Sequence, residues 1–254
     1  MAWNPETYNQ FKTERSAPFY DLLALLSVQS GLEVVDLGCG TGELTAKLAE
    51  ALPGANVLGV DSSAEMLASR QQSNGSTLNF ENSSIENQLN KPQLWDVVFS
   101  NAALQWVPDH EALFPQIINK IKPGGQLLVQ MPAQHHNITN RLLNELATQE
   151  PYAPVYAGWN RLSPVLDIDR YAELLFENGG KSMQVLERIY PLVLNDVNAL
   201  LTWVSGTALI PYLERLPESL TSRFRDDYRA LLSQQFPKAP VFYPFKRILI
   251  AARF

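Results

Sequence analysis

A chain of 254 residues that is 46% hydrophobic, 10% aromatic and 18% charged has the make-up of a globular protein with a sizeable core, which excludes a disordered or collagen-like chain and a minimal scaffold. Its 20 Lys+Arg against 26 Asp+Glu give a formal net charge of -6, so no long-range field draws it to nucleic acid or anionic lipid. The single cysteine, Cys39, excludes an intramolecular disulfide, and three histidines, His110, His135 and His136, lack the spacing of a metal site, so no metal is expected.

Asn4, Pro5 and Glu6 read as a helix start, predicting a helix over Glu6 to Glu14. A second is predicted from Pro18 to Leu26, where FYDLLALL repeats apolar residues at helical spacing, and Gly31 ends it. The run VVDLG then reads as a buried strand, followed by a helix from Glu43 to Ala51 and a strand from Val57 to Asp61. Ser62 with Glu65 has the spacing of a capping box for the next helix. LNF near Phe80, DVVFSN from Asp96 and QLLVQM from Gln126 are further strands, the last two separated by the helix HEALFPQIINKIK. Five strands alternating with helices predict an α/β protein with a mostly parallel, helix-covered sheet.

After Pro132 the rhythm is lost, and Gln134 to Gly180 reads as helices and loops. Strand pattern returns at MQVLERIYPLVL, helices are predicted over Asp196 to Gly206 and Pro217 to Gln235, and KRILIAARF closes the chain as a strand. The resulting division is 1–30 for N-terminal cap helices, 31–133 for a Rossmann-like core and 134–254 for helical cap insertions with the last strands. Such insertions are expected to cover the carboxyl edge of the sheet, where α/β folds bind ligands. Residues 1–132 hold 7 basic and 14 acidic side chains and the remainder 13 and 12, so the second half is the better host for an anion. No apolar run approaches a membrane span and no leader is recognisable, which predicts a cytoplasmic protein.

The sharpest motif is Asp36-Leu37-Gly38-Cys39-Gly40-Thr41-Gly42, set between a strand and a helix start. Glycines there let the backbone turn tightly and approach a ligand, while helix amides offer donors. A dinucleotide fingerprint would place its third glycine at position 43, which is Glu43. Asp61 ends a strand 19 residues after Gly42, close to the offset at which a carboxylate meets ribose hydroxyls. Asn101 to Trp106 follow another strand end, where the Gln105 amide and Trp106 indole are suited to a polar yet dry pocket. Lys122-Pro123-Gly124-Gly125 reads as the turn before the fifth strand.

A G-x-G-x-G preceded two residues earlier by an acid resembles motif I of the class I S-adenosylmethionine-dependent methyltransferases. More narrowly, the chain is similar to the trans-aconitate 2-methyltransferase family through WNPETYNQFKTERSAP, VVDLGCGTGELT, GVDSSAEML, NAALQWVPDHEALF, VQMP, the WV at Trp203 and FKRILIAARF. The resemblance implies a Rossmann-like seven-stranded sheet with one antiparallel strand, S-adenosyl-L-methionine as donor, S-adenosyl-L-homocysteine as product, and esterification of a small polycarboxylate. It further implies cofactor binding by Asp36, Gly38, Cys39, Gly40, Thr41, Gly42, Asp61, Ser62, Met66, Ser84, Ile85, Asn101 and Arg15. For the acceptor it implies Trp3, Tyr8, Arg15, Gln105, Trp106 and Arg247, with Trp106, Gln105 and His110 as candidate catalytic groups.

Two departures stand out. Ser84 occupies a position where the family commonly has an acid, and Ile210 one where Arg tends to precede Pro. Losing a guanidinium weakens a tricarboxylate pocket, so a malonyl thioester carboxyl or a non-carboxylate metabolite stands as the alternative acceptor. A non-catalytic nucleotide-binding protein is the alternative of another class, and a nicotinamide oxidoreductase is disfavoured by Glu43. Arg141, Arg161 and Arg170 are secondary anion anchors that read more simply as surface residues. The expected partner is a small carboxylate, with no nucleic acid or membrane, for a monomer or weak homodimer.

Overall fold

The protein is described from a computed structural model covering residues 12–68, 77–159 and 163–254, with side chains from residue 16 onward. Residues 6–11 of the predicted helix from Glu6, and the side chains of Trp3, Tyr8, Arg15 and Arg161, lie outside the described residues. The strands are β1 (Glu33–Leu37), β2 (Asn56–Asp61), β3 (Leu78–Asn82), β4 (Trp95–Asn101), β5 (Ile121–Pro132), β6 (Lys181–Leu194) and β7 (Val241–Arg253). They form one seven-stranded sheet of order β3-β2-β1-β4-β5-β7-β6. Pairings among β1 to β5 are parallel, and β7 runs antiparallel to β5. Val34, Val97, Val98, Phe99, Leu127 and Leu128 are buried, as continuous apolar runs between helices dictate.

The register decides which side chains share a face. Asp36 lies opposite Gly59 and Phe99, Asn101 opposite Gln130, and Pro132 opposite Arg247. Because side chains alternate along a strand, Asp36, Asp61, Asn101, Gln130 and Arg247 stand on one face. Strand order reverses between β1 and β4, and ligands of open α/β sheets bind beyond the carboxyl ends at such a switch point.

The chain forms two compact units. One comprises 17–132, 164–188 and 247–254 and holds β1 to β5 with the adjoining parts of β6 and β7. The other comprises 1–16, 133–163 and 189–246. Its core packs Leu143, Leu146, Tyr152, Tyr156, Tyr212, Phe224, Tyr228 and Tyr243. The buried hydroxyls there find partners: Tyr152 donates to Asp227, Tyr156 to the Tyr212 carbonyl and Tyr228 to the Thr139 carbonyl.

Four sequence expectations are corrected. A single helix, Lys12–Leu23, runs through Pro18, because Phe19 and Leu22 are fully buried and packing outweighs the lost backbone bond. The cap of the helix Ala64–Ala68 is Ser63 rather than Ser62, its Oγ accepting from the Met66 amide at 3.2 Å. Lys122 to Gly125 lie inside β5, where Gly124 adopts φ 83 and donates its amide to the Phe254 carbonyl. The helix before them ends at Ile118, not beyond. Among the described residues no helix is long and apolar enough to cross a membrane.

Candidate functional site

The glycine loop leaves β1 and enters the helix Glu43–Glu50. Gly38 and Cys39 donate their amides to the Val60 carbonyl at 2.8 and 2.9 Å, which ties the loop to the end of β2. At Gly38, with φ +80, a Cβ would sit 2.1 Å from Ala103 Cβ and 4.0 Å from Ile85 Cδ1, so only glycine lets the segments after β1, β3 and β4 meet. At Gly40, with φ +57, nothing lies within 4 Å, and the loop there presents bare backbone to open space.

Asp61 is the hinge pin of this arrangement. Its Oδ2 accepts from the Gly40 amide and its Oδ1 from the Ser63 amide, each at 2.8 Å. Each carboxylate oxygen retains acceptor capacity beyond one hydrogen bond. Ser62 beside it is exposed and Met66 half-buried.

Asp36 is buried on the same sheet face. The Thr45 hydroxyl donates to its Oδ2 at 2.7 Å, while its Oδ1 is buried with no hydrogen-bond partner. Burial pushes the carboxyl up to about 7, against the Thr45 hydrogen bond and reinforced by the Asp61 charge. A buried acid with an open oxygen beside a second acid is a receptor for a cation.

Beyond β3, the Ser84 hydroxyl accepts from the Asn87 amide at 3.2 Å and caps the helix Ile85–Leu89, so this side chain serves the backbone where an acid was expected. At the end of β4, Asn101 Oδ1 is buried and unpartnered. The Gln105 amide donates from Nε2 to the Ala102 carbonyl at 2.7 Å, leaving its Oε1 buried without a partner. Trp106 is 55% exposed, which removes core filling as its role.

Both ring nitrogens of His110, one of the candidate catalytic groups, are engaged in hydrogen bonds. It is 1% exposed, and Nε2 donates to the Leu104 carbonyl at 2.9 Å, which places the proton there and makes Nδ1 the acceptor from the Tyr171 hydroxyl at 2.5 Å. The Tyr171 oxygen in turn accepts from the Leu166 amide at 3.0 Å. Burial drives the His110 pKa below its ordinary value.

Arg247 is 6% exposed, with Nη1 donating to Gln130 Oε1 at 3.2 Å. Arg170 is committed to Glu111, Glu173 and Glu177 and Arg141 is exposed, so neither is a buried anion anchor. Ile210 opens the short helix Ile210–Leu213 of the other unit. Sequence reasoning missed Thr45, Phe80 and Gln130. The Phe80 ring stands where a Cβ at Gly42 or Gly59 would be 2.5 or 2.7 Å away, filling the space those glycines leave.

A family model of methyltransferase domains matches residues 28–179. Trans-aconitate 2-methyltransferase of Deinococcus radiodurans is 44% identical over 258 residues, covering 99% of this chain and 98% of that one. Among solved structures, a cyclopropane-fatty-acyl-phospholipid synthase-like protein from Lactobacillus casei superposes with a TM-score of 0.62 at 17% identity, covering 100% of this chain and 96% of that one. Phosphoethanolamine N-methyltransferase 2 of Haemonchus contortus, solved with S-adenosyl-L-methionine, superposes with a TM-score of 0.53 at 18% identity. The match covers 92% of this chain and 52% of that enzyme, so the chain spans about half its length.

Proposed function

Because the chain belongs to the methyltransferase-domain family and, within it, to the trans-aconitate 2-methyltransferases, we propose that it transfers a methyl group from S-adenosyl-L-methionine to a carboxylate of trans-aconitate or a related small polycarboxylate. The observation that carries the donor half is the open, buried Oδ1 of Asp36 beside Asp61 and the bare backbone of Gly40. Those residues fit a cofactor that carries an ammonium, a sulfonium and a ribose but no pyrophosphate. The acceptor half rests on the full-length likeness to the Deinococcus protein.

Bound S-adenosyl-L-methionine supplies an electrophilic methyl group on a positively charged sulfur. Asp36 is assigned to the ammonium, Asp61 to the ribose hydroxyls, and the 38–42 loop to the backbone contacts between them. Ile85 offers an apolar wall, and Gln105 and Trp106 shape the space where the methyl group is passed on. An acceptor carboxylic acid is already ionised at neutral pH, so no general base is needed, which agrees with the engaged nitrogens of His110. The residues then contribute by aligning the reactants and excluding water, since the reacting carboxylate and the sulfonium lose their charges in the transfer, which proceeds more readily out of water.

The reading carries with it a cytoplasmic enzyme, monomeric or weakly dimeric, without nucleic acid or membrane partners, supported by the net charge of -6 and the single cysteine. The test is S-adenosylhomocysteine formation with the purified protein and a panel of trans-aconitate, citrate, a malonyl thioester and an alcohol or amine metabolite. Turnover with trans-aconitate supports the reading. Turnover with the thioester alone moves the acceptor, and turnover with only alcohols or amines refutes carboxyl methylation.

A further inference from the structure

Gln130 is fully buried, 0% exposed, two residues before the end of β5. Its carboxamide is oriented by a neighbour that can only donate: Arg247 Nη1 donates to Gln130 Oε1 at 3.2 Å. That contact fixes Nε2 as the other end of the amide, and Nε2 is buried with no hydrogen-bond partner. A buried N–H donor without an acceptor is costly and uncommon in a folded protein, and a ligand acceptor relieves it.

The open groups around Gln130 are sorted by polarity. Asn101, level with Gln130 on β4, and Gln105 just beyond it hold buried oxygens without partners, as Asp36 does on β1. The open donor, Gln130 Nε2, lies on β5, and the guanidinium that orients its amide is that of Arg247 on β7. Lone pairs on one side and N–H groups on the other suit a cationic methyl donor and an anionic methyl acceptor that meet between them.

We propose that Gln130, held in place by Arg247, is a carboxylate-binding residue of the acceptor site, donating from Nε2 to a carboxylate oxygen of the polycarboxylate. This rests on the reading of the protein as a carboxyl methyltransferase. A neutral amide orients a carboxylate without quenching its charge, while Arg247 supplies the counter-charge behind it.

The experiment titrates trans-aconitate, citrate and tricarballylate into the S-adenosylhomocysteine-loaded protein by calorimetry, for wild type, Gln130→Met and Gln130→Glu. The methionine keeps length and volume but loses the donors, and the glutamate places an anion beside Arg247. The expected result is that wild type binds at least one of the acids and Gln130→Met binds it about tenfold more weakly or worse. Gln130→Glu should bind it more weakly still, with S-adenosylmethionine affinity within about twofold of wild type in both variants. In turnover, KM for the acceptor should rise more than kcat falls. Equal carboxylate affinity in wild type and Gln130→Met overturns the proposal, as does a parallel loss of cofactor and carboxylate affinity or a wild type that binds none of the acids. If Gln130→Met does not fold, Gln130→Glu decides by the same criteria. A wild type that binds the acids but transfers no methyl group refutes the carboxyl methyltransferase reading alone, and the titration still judges Gln130.

Discussion

The Thr45 hydroxyl donates to Asp36 Oδ2 at 2.7 Å and thereby leaves Oδ1 as the one open oxygen of a buried carboxyl. The folded-state pKa of Asp36 is about 7 against an ordinary 3.8, so in the empty protein the group contributes stability below its unfolded value and loses it as pH rises through about 7. A bound cation reverses the preference and draws the proton off. S-adenosylmethionine affinity should therefore rise with pH and level off above about pH 8, with proton release on binding near pH 6.5. Calorimetry in two buffers of different ionisation heat measures that release. Asp36→Asn should weaken cofactor binding tenfold or more yet stabilise the empty protein by ~1–3 kcal/mol above about pH 7.5.

Asp61 shapes the loop and is the residue we assign to the cofactor's ribose, so its removal should cost more than one ligand contact. We expect Asp61→Ala to weaken S-adenosylmethionine binding by about 30-fold or more, because the Gly40 and Ser63 amides lose their acceptor together with the ribose. Asp61→Asn keeps one of the two oxygens and should fall between. Titration followed by tryptophan fluorescence checks the order, and equal affinities for all three proteins would refute the assignment.

Two glycines in one loop should fail differently. Gly38→Ala drives a methyl group to 2.1 Å from Ala103 Cβ, and thermal unfolding should show a loss of ~3 kcal/mol or more, or no folding. Gly40→Ala meets open space and carries only the left-handed backbone cost of ~1–2 kcal/mol. It should fold and yet lose cofactor affinity, as measured by calorimetry.

His110 should behave as a packing residue. His110→Ala should destabilise the protein by ~2–4 kcal/mol through a cavity and the orphaned Tyr171 hydroxyl and Leu104 carbonyl. The lowered folded-state pKa means that its stability contribution is present above the ordinary value of 6.5 and is lost as pH falls below it. Denaturant unfolding at about pH 7.5 and 5.5 should show that loss in wild type and a smaller one in His110→Phe, while kcat shows no limb from this group.

Much of the sheet unit was legible because buried parallel strands announce themselves as apolar runs closed by Gly or Asp. VVDLG and VLGVD thus located β1 and β2 together with Asp36 and Asp61. What stayed hidden depended on partners distant in sequence. Gln130 lies in QLLVQM, and only its pairing with a residue 117 positions away separates a buried amide from a surface one. Thr45 carries no signal until the helix Glu43–Glu50 folds its hydroxyl back to Asp36. Adjacent Ser62 and Ser63 offer the same chemistry, and the Asp61 grip on the Ser63 amide selects the second as the cap. Gly124 reads as a turn in isolation, whereas the hydrogen bond its N–H donates to the Phe254 carbonyl keeps it in β5.

The measurement that bears most directly on the account is the initial rate of methyl transfer from labelled S-adenosylmethionine to trans-aconitate, with the product identified by mass spectrometry. The expected product is a base-labile monomethyl ester formed in equimolar amount with S-adenosylhomocysteine. Cofactor binding without ester on trans-aconitate or any other carboxylate would contradict the carboxyl methyltransferase reading.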